Sequence, residues 1–376
     1  MPINNTAAPL RLERYASLHE TAARAFNQRM RTAHAPIDFL LPEEASPPVT
    51  NGLDAPITKH QYVLLEGETA RGGVIIQEQP HWVAGETRTV WNVQSPLSEG
   101  IADRKYGFVA PFLMKELLRR HPLIYSVGMG SASMPFPRLL KALRWRLTEV
   151  PFFFRVCNPR RFLREIRAIR SNTARRLLFD VAAFSGLGGL GIRALHALMS
   201  RSPAGGSAAA EQINTFGEWA DDVWERAKSD YRLCAVRNQS TLNCLYPTKL
   251  DRLMKLQIRL RGRTIGWAVV LTTRLQDHKY FGSLQLGTIV DCLAPPHYAP
   301  HVVQAAVSAL EDLAVDLIVS NQSHRTWTAA FKRSGFLSGP SNYLFAGAGK
   351  LLELAPTSIG DFAHINRGDG DGIVNL

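Results

Sequence analysis

The sequence predicts an α/β protein of two tandem domains, each a mixed central sheet flanked by helices, joined by a basic amphipathic helical segment. Three observations predict it. One pattern of apolar periodicity, strand–helix–strand–helix–strand, occurs twice. Each copy follows a stretch that reads as a two-strand hairpin. The segment between the copies differs from both, starting Arg-rich and ending apolar and glycine-rich. At 376 residues the chain has room for two cores, and its 45% hydrophobic and 20% charged residues are those of a globular protein.

In chain order, Ala and Leu spaced for one buried face predict a helix over 11–31. The Pro-rich run 42–58 is a loop. QYVLLEGETARGGVIIQEQ (61–79) reads as two strands around a turn. The first copy of the pattern then offers a strand at 89–97, a helix at 107–120, a strand at 123–130, a helix at 136–145 and a strand at 151–156. In the second copy the hairpin is 256–273, followed by a strand at 286–294, a helix at 301–315, a strand at 316–321, a helix at 325–336 and a strand at 342–348. Both hairpins place small residues early in their second strand, Gly72–Gly73 and Gly266. The expected organisation is a first domain over 1–157, a connector over 158–211, a second domain over 212–360 that opens on a helix at 213–228, and a tail over 361–376.

The formal net charge of +12 is concentrated: residues 138–176 hold twelve Arg or Lys against two Glu. In 158–176, Phe162, Leu163, Ile166 and Ile169 fall at helical spacing with Arg between them. Three readings are open. The segment lies on an anionic membrane surface, each cation near the surface adding about 1 kcal/mol; it binds nucleic acid, against which sparse aromatics and the lack of a recognition motif argue; or it is a solvated interdomain helix. The apolar end, 177–200, is too interrupted for a transmembrane helix, and SRSPAGGSAAAE (200–211) reads as a flexible linker. The first residues lack the apolar run of a secretory signal, and the four cysteines form no CxxC, which together predict reduced thiols in the cytoplasm.

RKYGFV (104–109) sits between a predicted strand and a predicted helix. Free amides at a helix N-terminus hold phosphate, Gly107 permits close approach and Arg104 adds a cation. The same residues suit an ordinary strand-to-helix turn. Together with the order of elements, Arg104 and Gly107 resemble the Arg/Gln-x-x-Gly-x-Gly/Ala loop of the GNAT superfamily of acyl-CoA N-acyltransferases, with Val109 replacing the last small residue. Ser334–Phe336 fits the family's Gly-aromatic pair in the second copy, and Arg144–Trp145 fits loosely in the first. The chain resembles more closely the tandem members of polysaccharide gene clusters and Fem-type aminoacyl transferases: Arg237, Leu242 and Tyr246 in AVRNQSTLNCLYP match an Arg-Asp-x-x-x-Leu-x-Trp-Arg-Tyr stretch, and the tail INRGDGDG resembles their acidic, glycine-rich ends.

The resemblance implies direct transfer from acetyl-CoA or a longer acyl-CoA to an amine. It implies a cofactor site at Arg104, Lys105, Tyr106, Gly107, Phe108 and Val109, with backbone amides of Val93, Gln94 and Ser95 polarising the thioester carbonyl. Glu99 and Asp291 are the carboxylates nearest the expected reaction centre; each is a candidate base, and each also reads as a structural acid. The family's Tyr acid is replaced by Leu140 and Phe331, and PPHYAPH (295–301) has no glycine, so the first copy is the better cofactor site. His297 and His301 have i,i+4 spacing, but Pro295, Pro296 and Pro300 spoil the helix a metal pair would need. GLGGLG (186–191) lacks the βαβ setting of a dinucleotide loop, and the tail lacks the twelfth-position Glu of a calcium loop. The function expected is an N-acyltransferase using acyl-CoA on an amino group of a small-molecule or lipid-linked amino-sugar precursor of the cell envelope or exopolysaccharide, cytoplasmic or peripheral to the inner membrane. The alternatives are a Fem-type transferase using aminoacyl-tRNA and a non-catalytic ligand- or partner-binding module.

Overall fold

The computed structural model describes residues 8–35, 40–45, 49–50, 56–167, 190–191, 194, 206–247, 252–341, 343–354 and 359–370. These form a mixed α/β protein with two compact units. The first comprises residues 1–81, 87–147 and 345–356; the second comprises 82–86, 148–344 and 357–376.

In the first unit the sheet runs, in spatial order, Leu10–Arg14, Thr58–Glu66, Thr69–Val83, Glu86–Ser98, Ile124–Val127, Leu344–Ala348 and Arg146–Glu149. Glu86–Ser98 and Ile124–Val127 are parallel, as a helical crossover requires; Ile124–Val127 and Leu344–Ala348 are antiparallel. The helix Val109–Arg120 buries Val109, Leu113, Met114 and Leu117 against Leu64, Val74, Ile76 and Val93 of the sheet. Each such side chain contributes about 1.5–3 kcal/mol on burial. The helix Glu20–Thr32 packs Ala23, Phe26 and Met30 with Val63, Leu65, Ala70 and Leu97. The expected helix over 11–31 therefore begins later. Leu10 and Leu12 alternate with charged residues in a period of two, and residues 10–14 pair antiparallel with Tyr62–Glu66 as an edge strand.

The second unit's sheet runs Leu337–Gly339, Phe152–Val156, Leu317–Asn321, Gln285–Leu293, Arg263–Arg274, Leu253–Leu260 and Ala209–Ile213. The helices Trp219–Ala227, Ala299–Asp312 and Arg325–Arg333 contribute Trp224, Val302, Leu310, Trp327 and Phe331 to one core with Trp267 and Val269. Ala209–Ile213, within and beyond the expected linker, is an edge strand on Leu253–Leu260, and the opening helix of this unit starts at Trp219 rather than 213.

The strands that end the two sequence copies do not stay with their copies. Phe152–Val156, expected to close the first domain at 157, lies in the second unit's sheet between Leu317–Asn321 and Leu337–Gly339. Phe345–Ala348, expected in the second, pairs with Ile124–Val127 of the first unit. Both are antiparallel insertions between two other strands, and their apolar pattern specifies a strand and not the sheet that receives it.

The duplication nevertheless holds in detail. Ser126 Oγ donates to Val93 O (3.0 Å), and Ser320 Oγ donates to Ile289 O (2.8 Å) at the matching place. A Cβ on Gly72 would collide with Leu97 O, and one on Gly266 would lie 2.7 Å from Leu293 O. Of the connector, Pro159–Glu165 is a short helix with Leu163 and Ile166 buried and Arg160, Arg161, Arg164 and Arg167 exposed. Arg161 pairs with Asp316 (3.2 Å), and Arg167 pairs with Asp277. Ile169 and most of the glycine cluster lie outside the described residues. Cys157, Cys234, Cys244 and Cys292 carry no disulfide.

Candidate functional site

In the first unit, Glu86–Ser98 and Ile124–Val127 pair at Trp91 with Ile124 and at Asn92 with Tyr125. Three residues past Asn92, Ser95 takes the left-handed conformation at φ 45°, directly before Pro96. That conformation costs an L-residue about 1–2 kcal/mol. It turns the end of the strand, and beside that end lies a cavity of about 280 Å³. Its walls are the strand end (Leu97, Ser98), the start of helix Val109–Arg120 (Gly107, Met114) and the start of helix Pro135–Ala142 (Phe136, Leu139). Ser98 is the only polar side chain among the lining residues. Its hydroxyl oxygen accepts from Gly100 N (3.2 Å), which leaves its proton to donate.

The 104–109 segment is arranged differently from a simple amide cradle. Arg104–Tyr106 is a 3-10 turn capped by Asp103, whose Oδ1 accepts from Lys105 N (2.9 Å). Tyr106 N donates to Asp103 O and Gly107 N to Arg104 O, both at 3.0 Å. Three of the expected amides are thus consumed by the turn itself. Those that remain start at Phe108: the amides of Phe108, Val109 and Ala110 have no backbone acceptor among the described residues, and Pro111 has no N–H. The first turn of this helix carries no acid, so its positive end is not neutralised locally. Arg104, Lys105, Gly107 and Phe108 are exposed.

Gly107 alone of the expected binding residues lines the cavity. Val93 and Val109 are buried in the core. Gln94 donates from Nε2 to Gln77 Oε1 (3.3 Å). Ser95 lines a smaller cavity of about 40 Å³ with Tyr15 and Leu41. Tyr106 lies under Arg71, whose guanidinium carbon is 4.1 Å from the ring centroid. Ser98 was missed by sequence reading. The signal available was a hydroxyl closing a strand just before a glycine turn, which is a weak one.

Neither candidate base is free to take a proton from an amine. Glu99 is buried and accepts from Arg29 Nε at 2.7 Å on one oxygen and from an Arg71 guanidinium nitrogen at 2.9 Å on the other. Burial alone would lower the pKa of Arg71, but the hydrogen bonds it donates to Glu99 and Glu66 outweigh it and hold it above its ordinary value. In the second unit Asp291 is fully buried and saturated. Its Oδ2 accepts from Arg237 Nε (2.7 Å) and Tyr246 Oη (2.6 Å), and its Oδ1 from Asn366 Nδ2 (2.7 Å) and Cys292 N (2.9 Å). Arg237 also binds Asp369 (2.7 Å). Burial first, then Asp291, raises the Tyr246 phenol well above its ordinary value.

The second unit's counterpart of the cleft is filled by the tail. Gln322 bridges to Asn366, Ser323 N donates to Ile365 O (3.0 Å), and Arg367 Nε donates to Asn321 Oδ1 (2.9 Å). Gly368 sits against Tyr246 and Asp291 so closely that no Cβ would fit. At the start of helix Ala299–Asp312, Pro295, Pro296 and Pro300 remove amides that an anion would need. Among the described residues, no group of three His, Cys, Asp or Glu is placed to hold a metal ion, and no helix is long and apolar enough to cross a membrane.

No protein-family model and no curated protein matches this chain by sequence. Among solved structures, it is similar to N-myristoyltransferase of Saccharomyces cerevisiae with bound myristoyl-CoA: 10% identity, 92% of this chain and 84% of that one, TM-score 0.48. It is also similar to a conserved protein of unknown function from Enterococcus faecalis V583, described as a probable N-acyltransferase: 11% identity, 92% and 74% covered, TM-score 0.47. A GCN5-related N-acetyltransferase from Anabaena variabilis shares 10% identity over 90% of this chain and 72% of that one, at TM-score 0.46. At TM-scores below 0.5 these likenesses assign neither superfamily nor activity.

Proposed function

We propose that the chain is a tandem GNAT-like N-acyltransferase whose first unit binds an acyl-CoA thioester. The single observation that carries this reading is the cavity of about 280 Å³ beside the end of strand Glu86–Ser98, apolar but for one hydroxyl and floored by the N-terminal turn of helix Val109–Arg120. An apolar slot beside unpartnered amides suits an acyl-pantetheine arm that ends in phosphate. The resemblance of Arg104 and Gly107 to a GNAT cofactor loop points the same way.

An acceptor amine would attack the thioester carbonyl carbon; the C–S bond would break and the sulfur leave as a thiol. With Glu99 and Asp291 engaged, the amine gives its proton to water, and Ser98 Oγ–H is the group placed to hydrogen-bond the developing charge on oxygen or sulfur. The acceptor we propose is an amino group on a small-molecule or lipid-linked cell-envelope or exopolysaccharide precursor; the exposed arginines of 158–167 suit an anionic membrane surface. The second unit, its cleft occupied by its own tail, is the scaffold of the pair. A second reading, a non-catalytic thioester-binding module, is favoured by the engagement of both carboxylates.

The test is a thermal-shift titration with acetyl-CoA and decanoyl-CoA, followed by thiol release in the presence of amino sugars. Ligand bound to the native state raises the melting temperature. Ala110→Asp should abolish the shift without lowering the melting temperature of the free protein, because an acid suits a helix start but repels a phosphate. Ser98→Ala should keep the shift and lower kcat about a hundredfold. A shift with no thiol release in wild type establishes the non-catalytic module. Stabilisation by aminoacyl-tRNA but not by CoA esters would move the donor to the Fem type.

A further inference from the structure

We infer that the acyl donor reaches this cleft on a small acidic carrier protein bearing an acylated phosphopantetheine arm, of which acyl-CoA is the soluble counterpart. This rests on the reading of the cleft as a thioester site. Three of the seven exposed large apolar side chains among the described residues stand at its mouth: Ile101 (47% exposed), Phe108 (50%) and Met134 (51%). Ile101 lines the cavity itself, Phe108 follows Gly107 of the lining, and Met134 precedes the lining residue Pro135. Exposed apolar groups gathered around one opening mark a partner's seat rather than chance exposure.

The charged side chains on the same turn and helix are mostly cationic. Arg104 and Lys105 on the turn, with Arg138, Lys141 and Arg144 on and after the Pro135–Ala142 helix, are exposed and have no carboxylate partner among the described residues. Asp103, an exposed acid, caps the turn. From Gly128 to Thr148 the sequence has no Asp or Glu. An apolar centre ringed by cations is complementary to an acidic protein surface, and it would steer encounter in a salt-dependent way.

The anion-binding end distinguishes a carrier arm from free CoA. The capped 3-10 turn consumes the amides of Lys105, Tyr106 and Gly107, which leaves Phe108, Val109 and Ala110 before Pro111. Three amides match the single phosphodiester that joins a pantetheine arm to a carrier protein. Free CoA presents a diphosphate and a further phosphate on its ribose, which asks for more donors than the turn leaves.

The experiment measures binding of the full chain to decanoyl-loaded acyl carrier protein, to decanoyl-CoA and to vesicles containing anionic phospholipid. The expected result is at least tenfold tighter binding of the loaded carrier than of decanoyl-CoA at 50 mM salt, narrowing as salt rises. Met134→Ser and the pair Arg138→Glu, Lys141→Glu should each remove at least tenfold of the carrier affinity and leave decanoyl-CoA binding within threefold. All three side chains are exposed, and an unchanged melting temperature identifies the variants as folded. Carrier binding no tighter than decanoyl-CoA binding overturns the inference while leaving the thioester site in place. Binding of neither overturns the thioester reading itself. Vesicle binding lost in the same variants, without carrier binding, overturns the inference in favour of a lipid-facing mouth.

Discussion

Asp291 has four hydrogen-bond donors and no exposed surface. A carboxylate in that state anchors Arg237, Tyr246 and the tail rather than moving protons. Removing one partner of a buried ion pair strands the other charge, at a cost of about 3–5 kcal/mol. Asp291→Asn should therefore lower unfolding free energy by that amount in urea, and any loss of activity should follow the loss of folded protein. Full stability with lost turnover would return Asp291 to the catalytic list. Its acidity and its place on a strand were plain in the sequence. Its partners were not, because Arg237 and Asn366 lie 54 and 75 positions away and only the fold brings them together. Glu99 poses the same difficulty: a lone Glu after a strand reads as solvated until Arg29 and Arg71 are seen on its oxygens.

Among the elements, the strand end at 95–98 is set by its neighbours. Gly72 faces Leu97 O, where any Cβ would collide with the backbone. Overpacking of this kind costs about 1–3 kcal/mol. Gly72→Ala should lower the melting temperature and, by pushing Leu97 and Ser98, weaken decanoyl-CoA binding, as thermal denaturation with and without ligand would measure. The paired small residues of the two hairpins were visible in the sequence, as were nearly all strands and helices of the repeat, because alternation and 3.6-residue periodicity survive without context. The failures have physical causes. Residues 10–14 carry too few apolar positions to separate a two-residue period from a helical one. A strand's partners are not encoded in its own alternation, so Phe152–Val156 and Phe345–Ala348 gave no sign of the sheets they join. The turn at 104–107 was legible as a turn, but Asp103 as its cap was not.

For the molecule as a whole, acid is the condition to which stability should respond most sharply. Burial, as the first cause in each, pushes His121, His324 and His364 down to about 4 from an ordinary value of 6.5. The unfolded chain thus binds protons between pH 6.5 and 4 that the folded one refuses. The contribution is fully present above pH 6.5 and is lost as pH falls toward 4. Melting temperature should fall across that window. His364→Gln, which keeps a donor toward Cys292 O, should flatten the fall; an unchanged slope would exclude His364 as a contributor. Two domains, their duplication and the better of the two clefts could be argued from sequence. That the tail occupies the other cleft could not, since a glycine-rich acidic run gives no hint of what it covers.

The path of the polypeptide has a consequence for how the protein is made. Because Phe345–Ala348 completes the sheet begun by Leu10–Arg14, the earlier unit cannot finish folding until almost the whole message has been translated. A chain ending at residue 157 would have a first sheet lacking the strand between Ile124–Val127 and Arg146–Glu149, while Phe152–Val156 would await a partner not yet synthesised. Cutting the gene between its two repeats would accordingly yield two incomplete products, each in need of the other.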